Sequence, residues 1–236
     1  MMLTSDLQRP PLSRAVAWRE VGLAVVVLWS VLGGACFFLG AQSIYDRWGT
    51  SLNATLVLDV VFLIGCLAVI GFVFWRQRRQ GEGIVELGWG RPVRMPVIVI
   101  AVVYGLAWTA MSYMRGGDPL AFPWQRPIMM AIGLVLAFAE EIAVRGFILD
   151  RLARCGTSRI IQIVVTAGIM AVYHGVVGHS VWPSYMVSSF VLFGVLSVIY
   201  VYGGRSLTPV YIAHAMAHFL GDPALMQGVL YGVGAG

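Results

Sequence analysis

The chain has 236 residues, 59% of them hydrophobic and only 11% charged, and its net charge is +5. Soluble globular domains carry roughly 25% charged residues, so this composition excludes one and points to a protein embedded in a bilayer. All 16 basic residues are arginines, and apart from Arg145 they lie in short stretches between apolar runs, which reads as membrane topology and not as a nucleic-acid footprint.

Residues 1–20 are polar, carry Arg9, Arg14 and Arg19, and are expected to form a cytoplasmic N-terminal segment. The apolar stretch that follows is long for the core of a signal peptide. An uncleaved first helix is therefore expected, although Leu39-Gly40-Ala41 could serve as a cleavage site. Residues 21–236 read as one transmembrane domain with helices at about 21–41, 53–75, 95–113, 127–149, 159–178, 183–203 and 208–220. An apolar tail from Ala224 is a candidate short eighth segment. The fold class expected is all-α, a polytopic bundle of seven to eight transmembrane helices.

Breaks are expected where charge or Gly/Pro clusters interrupt apolar runs: Arg76-Gln77-Arg78-Arg79, Arg115-Gly116-Gly117-Asp118-Pro119 and Gly203-Gly204-Arg205. With the N-terminus inside, 12 arginines fall in cytoplasmic segments, and only Arg47, Arg115 and Arg126 fall outside. The positive-inside rule then sets the orientation, in a bacterial-type inner membrane. Residues 80–94 are expected on the cytoplasmic interface with Trp89 at headgroup depth, and Trp124 and Trp182 as outer anchors. Cys36, Cys66 and Cys155 share no close spacing, so neither a disulfide framework nor a metal knuckle is indicated.

Few ionisable residues fall within the spans: Asp59, Glu140, Glu141, Arg145, His174, His214 and His218. A charge near the bilayer centre costs at least about 2.5–3.5 kcal/mol, so such residues face the bundle interior and partner one another. Glu141 and Arg145 are four apart, on one helix face and in the favourable acid-first order, and can neutralise each other. Successive helical residues point about 100° apart, so Glu140 faces elsewhere, either to fix packing through a polar neighbour or to serve as a general acid or base. His214 and His218 are also four apart and stack along one face of the last span, while His174 lies in the fifth. Counting residues from the helix ends places Glu140, His174 and His214 roughly 13–22 Å from the arginine-rich side, which allows them to meet. His179 falls near the outer end of its span and reads as an interface residue.

At these residues the sequence resembles the CPBP family, the CAAX-protease and bacteriocin-processing intramembrane endopeptidases, whose prokaryotic members are often labelled abortive-infection proteins. The family carries Glu-Glu-x-x-x-Arg, Phe-x-x-x-His and His-x-x-x-Asn on separate helices. Here the first is complete from Glu140 to Arg145, the second ends at His174 with Met170 in the Phe place, and the third runs from His214 with His218 in the Asn place. The resemblance covers roughly residues 127–220.

It implies peptide-bond hydrolysis in a membrane-associated or lipidated protein or peptide. Glu140 and His174 would activate a water, His214 and His218 would stabilise the oxyanion, and Glu141 and Arg145 would support Glu140. No cofactor is required by this scheme, although Glu140, His174, His214 and His218 are also acceptable ligand types for a divalent metal such as Zn. No His-Glu-x-x-His or Gly-x-Ser-x-Gly is present, so those protease chemistries are not indicated. A proton-coupled transporter using Asp59, or a noncatalytic immunity or scaffold protein of the same fold, is the alternative. No repeated halves or paired broken helices support a carrier.

Overall fold

A computed structural model describes residues 10–48, 51–114, 120, 122–177 and 182–221. His179, the 115–119 loop and the tail from Ala224 lie outside the described residues, as do the side chains of Cys36 and Trp182. The regular elements of the described residues are all helical: α1 (Arg14–Val27) continues in wide π-type turns over Leu28–Ala41 into α2 (Gln42–Trp48). Next come α3 (Leu52–Arg79), α4 (Met95–Met114) and α5 (Gln125–Glu141). A π-type segment, Ile142–Ile148, joins α5 to α6 (Leu149–Arg154), and α7 (Arg159–Val177), α8 (Trp182–Tyr202) and α9 (Leu207–Leu220) complete the bundle.

Among the described residues, five helical stretches are long and apolar enough to cross a membrane: Arg14–Ala35, Leu52–Arg79, Met95–Met114, Gln125–Arg154 and Pro183–Tyr202. Arg159–Gly175 is a shorter apolar helix, and α9 has 14 residues. All seven expected helices are present, and the chain is a multi-pass membrane protein.

Two helix ends differ from the sequence expectation. The first helix begins at Arg14, where the Ser13 hydroxyl accepts the Val16 amide at 3.3 Å as an N-cap. The cluster Arg76-Gln77-Arg78-Arg79 does not break α3, because its polar groups find lateral partners at the arginine-rich end of the bundle. Arg76 pairs with buried Glu20, and Gln77 hydrogen-bonds Arg151. Arg151 is itself fully buried, 2.8 Å from Asp150 and 3.1 Å from Glu82. The helix ends instead after Arg79, and Gly81 just beyond its cap has a φ of 71°, which suits glycine.

Residues 80–94 fold inward. Leu87 is completely buried, the Gly88 carbonyl accepts the Leu207 amide at 2.9 Å and so caps α9, and the Ser206 hydroxyl donates to the Arg91 carbonyl at 3.2 Å. Trp89 turns its ring edge-on to Phe138 and Tyr211, at centroid distances of 5.2 and 5.5 Å. Trp124 is exposed. Cys66 and Cys155 are free thiols.

Small residues let the helices that carry the polar groups approach closely, the usual way of packing helices that gain nothing from hydrophobic exclusion in lipid. A Cβ on Gly105 of α4 would stand 2.9 Å from the Ala213 carbonyl oxygen of α9, and one on Gly133 of α5 would stand 2.8 Å from the His218 Cβ. Both helices therefore lie against α9 at the level of its histidines.

Candidate active site

The polar residues singled out along the sequence gather where α5, α7, α8 and α9 meet, with α4 behind. Glu140 and Glu141 are the last two residues of α5, and the wide turns that follow hold Arg145. π-type turns of this kind often accompany functional sites. Glu140, Glu141, Arg145 and His214 are all at least 98% buried.

Arg145 organises one half of the site. Its Nη1 donates to Glu141 Oε1 at 2.9 Å, its Nη2 donates to the Phe193 carbonyl at 2.8 Å, and its guanidinium lies over the Phe193 ring, 5.0 Å from the centroid. The anticipated i,i+4 pair is thus formed. Glu141 Oε1 also accepts from His214 Nδ1 at 2.8 Å. One carboxylate is consequently shared between a guanidinium and an imidazole, each compensating its burial.

An ionised Glu141, paired with Arg145, can only accept at this contact, and the protons of the two histidines follow from that. With its Nδ1–H given to Glu141, neutral His214 presents a lone pair at Nε2, and His218 Nε2, 3.2 Å away, must be the donor to it. The order is therefore His218 to His214 to Glu141, with Arg145 donating to the same oxygen. His218 is held from the other side by Gly133, against which its ring lies.

Glu140 is not hydrogen-bonded to Arg145, although it borders the same His214 ring as Glu141. Tyr173 lies beside the Glu140 carboxylate, while Oε2 has no partner and lies 3.8 Å from His214 Nε2, too far for a direct hydrogen bond. His174 donates from Nδ1 to the Met170 carbonyl at 2.9 Å, so its Nε2 is left as an acceptor. Its ring meets Phe193 at 4.6 Å, and Phe193 in turn contacts His214 at 5.4 Å. Phe193 is therefore the ring through which α7, α9 and Arg145 converge. Met170 is fully buried in the core.

Asp59, on α3, is buried and makes an interaction of its own. Three contributors escape a reading of the sequence: Tyr173, Phe193 and Trp108. Tyr173 adjoins His174, and a polar-tipped aromatic beside a buried histidine is a usable signal. Phe193 and Trp108 are aromatic residues in apolar helices and carry none.

Residues 122–220 match a family model described as type II CAAX prenyl endopeptidase, Rce1-like. This segment belongs to the Rce1-like family. No curated protein and no solved structure matches the chain. The Rce1-like segment runs through α5, α7, α8 and α9 and contains Glu140, Glu141, Arg145, His174, His214 and His218, whereas α4 lies wholly before it. It is the segment of a CAAX-type intramembrane protease, set in a multi-pass membrane protein.

Among the described residues no group of three or more His, Cys, Asp or Glu side chains is arranged to hold a metal ion. His214 Nδ1 and His174 Nδ1 are already engaged by Glu141 and the Met170 carbonyl. This arrangement does not fit a ligand shell, whose bonds would be about 2.0–2.2 Å.

Proposed function

We propose that this protein is an intramembrane endopeptidase that hydrolyses a peptide bond of a lipidated or membrane-associated substrate through Glu140. The observation carrying the proposal is the division of labour between adjacent carboxylates. Glu141 is engaged through Oε1 by both Arg145 and His214, whereas Glu140 makes no hydrogen bond to either of them and its unpartnered Oε2 lies 3.8 Å from His214 Nε2; Glu141 Oε2 is likewise unpartnered. A buried carboxylate with a vacant lone pair, beside imidazoles whose tautomers are set, is what general-base catalysis requires.

In the proposed step a water lies within reach of Glu140 Oε2 and the free Nε2 of His174. Glu140 takes a water proton as the water oxygen bonds to the scissile carbonyl carbon, and the carbonyl oxygen becomes an oxyanion. His218 Nε2–H turns from His214 to this oxyanion, and His214, fixed by Glu141, keeps the donor aimed. The C–N bond then breaks as Glu140 delivers the proton to the leaving amine. Tyr173 steadies the Glu140 carboxylate throughout, and Arg145 with Glu141 supports the fold around it.

A divalent metal held by Glu140, His174, His214 and His218 is the other version of this proposal, and it requires those side chains to re-aim. The arginine distribution supports a cytoplasmic N-terminus in a bacterial-type inner membrane, which puts the site within reach of substrates on that side. The test uses the purified full chain in detergent and a library of membrane-tethered peptides that includes prenylated Cys-aliphatic-aliphatic-X sequences. Wild type is expected to cleave, and Glu140→Gln, His174→Ala and His214→Ala are not. A wild type that cleaves nothing, or a Glu140→Gln variant that cleaves equally well, overturns the proposal.

A further inference from the structure

The site is not completed within the Rce1-like segment. On α4, Gly105, Trp108 and Thr109 are spaced i, i+3, i+4 and so share one helix face, which lies on α9. Gly105 allows the approach to Ala213, and the Thr109 hydroxyl hydrogen-bonds the Met216 carbonyl at 3.2 Å. Between them the Trp108 indole lies parallel to the His214 imidazole, with an interplanar angle of 8° and centroids 5.6 Å apart, an offset stack. Trp108 also meets the Phe193 ring edge-on at 6.0 Å, and the Tyr104 hydroxyl one turn earlier donates to the Leu192 carbonyl. Hydrogen bonds on both sides thus hold α4 where the indole meets the imidazole.

The His214 ring is fixed in position by Glu141 at Nδ1 and His218 at Nε2, but an imidazole can also turn over about its Cβ–Cγ bond. Turning over would carry Cδ2 to Glu141 and Cε1 to His218 and so break both hydrogen bonds. To do so the ring must pass through an orientation perpendicular to its present one, and its edge would then drive into the indole face. Phe193 blocks with its own edge, 5.4 Å away at 78°.

We propose that Trp108 is a positioning residue for the reaction: by stacking on His214 it holds the imidazole in the single orientation that gives Nδ1–H to Glu141 and Nε2 to His218. The inference rests on the proposed role of His214, and it draws on a helix outside the family segment. Its chemistry requires a flat ring at position 108 and not an indole as such.

The test compares Trp108→Leu and Trp108→Phe with wild type in the full-length protein in detergent. Two readouts are used: kcat and KM for a cleaved prenylated peptide, and the 15N spectrum of the histidine rings with His214 assigned by its loss in His214→Asn. Trp108→Leu is expected to lower kcat roughly 10- to 100-fold with KM little changed, the scale on which small misplacements of a catalytic group act. Its His214 nitrogens should lose the single Nδ1–H signature and show averaged tautomers. Trp108→Phe is expected to keep both the rate and the signature.

The proposal is overturned if Trp108→Leu keeps wild-type kcat and a single tautomer. It is equally overturned if Phe fails to rescue while both variants lose thermal stability in step with activity, for that marks simple packing. If wild type cleaves no peptide, the hydrolase reading fails, and the tautomer comparison alone then decides whether Trp108 orients His214.

Discussion

His214 Nδ1 stands 2.8 Å from Glu141 Oε1, the same oxygen that Arg145 Nη1 reaches at 2.9 Å. Glu141 is therefore the joint between α9 and the wide turns after α5, and in the proposed reaction it orients His214 while Glu140 takes the reacting proton. From this joint follow separate expectations for each neighbour.

Glu140→Gln keeps the shape of the side chain and removes its basicity. Cleavage is expected to fall by a factor of about 10²–10⁴, the usual contribution of general acid–base catalysis. The thermal midpoint in detergent should be unchanged or raised, since a neutral amide is easier to bury than a carboxylate. Peptide cleavage and a melting curve on one preparation check both.

Arg145→Met leaves Glu141 buried with its main compensating charge gone. Breaking a buried pair from one side costs about 3–5 kcal/mol. The double variant Glu141→Gln, Arg145→Met should recover part of this loss, because no unpaired charge then remains. Chemical denaturation of the four members of this cycle in detergent measures the coupling.

Gly133→Ala places a methyl group 2.8 Å from the His218 Cβ. The His218 ring must shift, and with it the N–H that His214 receives. Overpacking of this size costs about 1–3 kcal/mol. The cleavage rate is expected to fall by more than the change in melting temperature accounts for, as followed by kcat and thermal midpoint together.

His218→Asn should retain cleavage, because the carboxamide also carries an N–H that can reach His214 Nε2. His218→Leu should lose it, having no donor at all. Relative kcat for the two variants decides the point.

Chelator treatment is expected to leave cleavage intact, in keeping with the proposed water activation by Glu140. Loss of activity that returns on adding Zn, with near-stoichiometric metal by elemental analysis, would replace that step with a metal-bound one.

Much of this site is legible in the sequence because charge in a membrane is scarce. Against runs of Leu, Val and Ile, each of Glu140, Glu141, Arg145, His174, His214 and His218 stands out, and helical spacing alone pairs Glu141 with Arg145 and aligns His214 with His218. The apolar runs likewise mark the helices. Their ends are less legible: Arg76, Gln77, Arg78 and Arg79 read as a break, yet helix α3 runs through them, since partners such as Glu20 and Arg151 are distant in sequence and only meet in the folded bundle.

By itself the sequence determined the class of protein, its helices and the identity of the polar residues, because hydropathy and the 3.6-residue period are local properties. The tertiary structure decided which carboxylate is engaged by Arg145 and His214 and which is not. It also decided which nitrogen of His214 carries the proton, and that Trp108 and Phe193 bracket its ring. Those outcomes depend on distances between helices, and an aromatic residue in an apolar helix gives no sign of the ring it will meet.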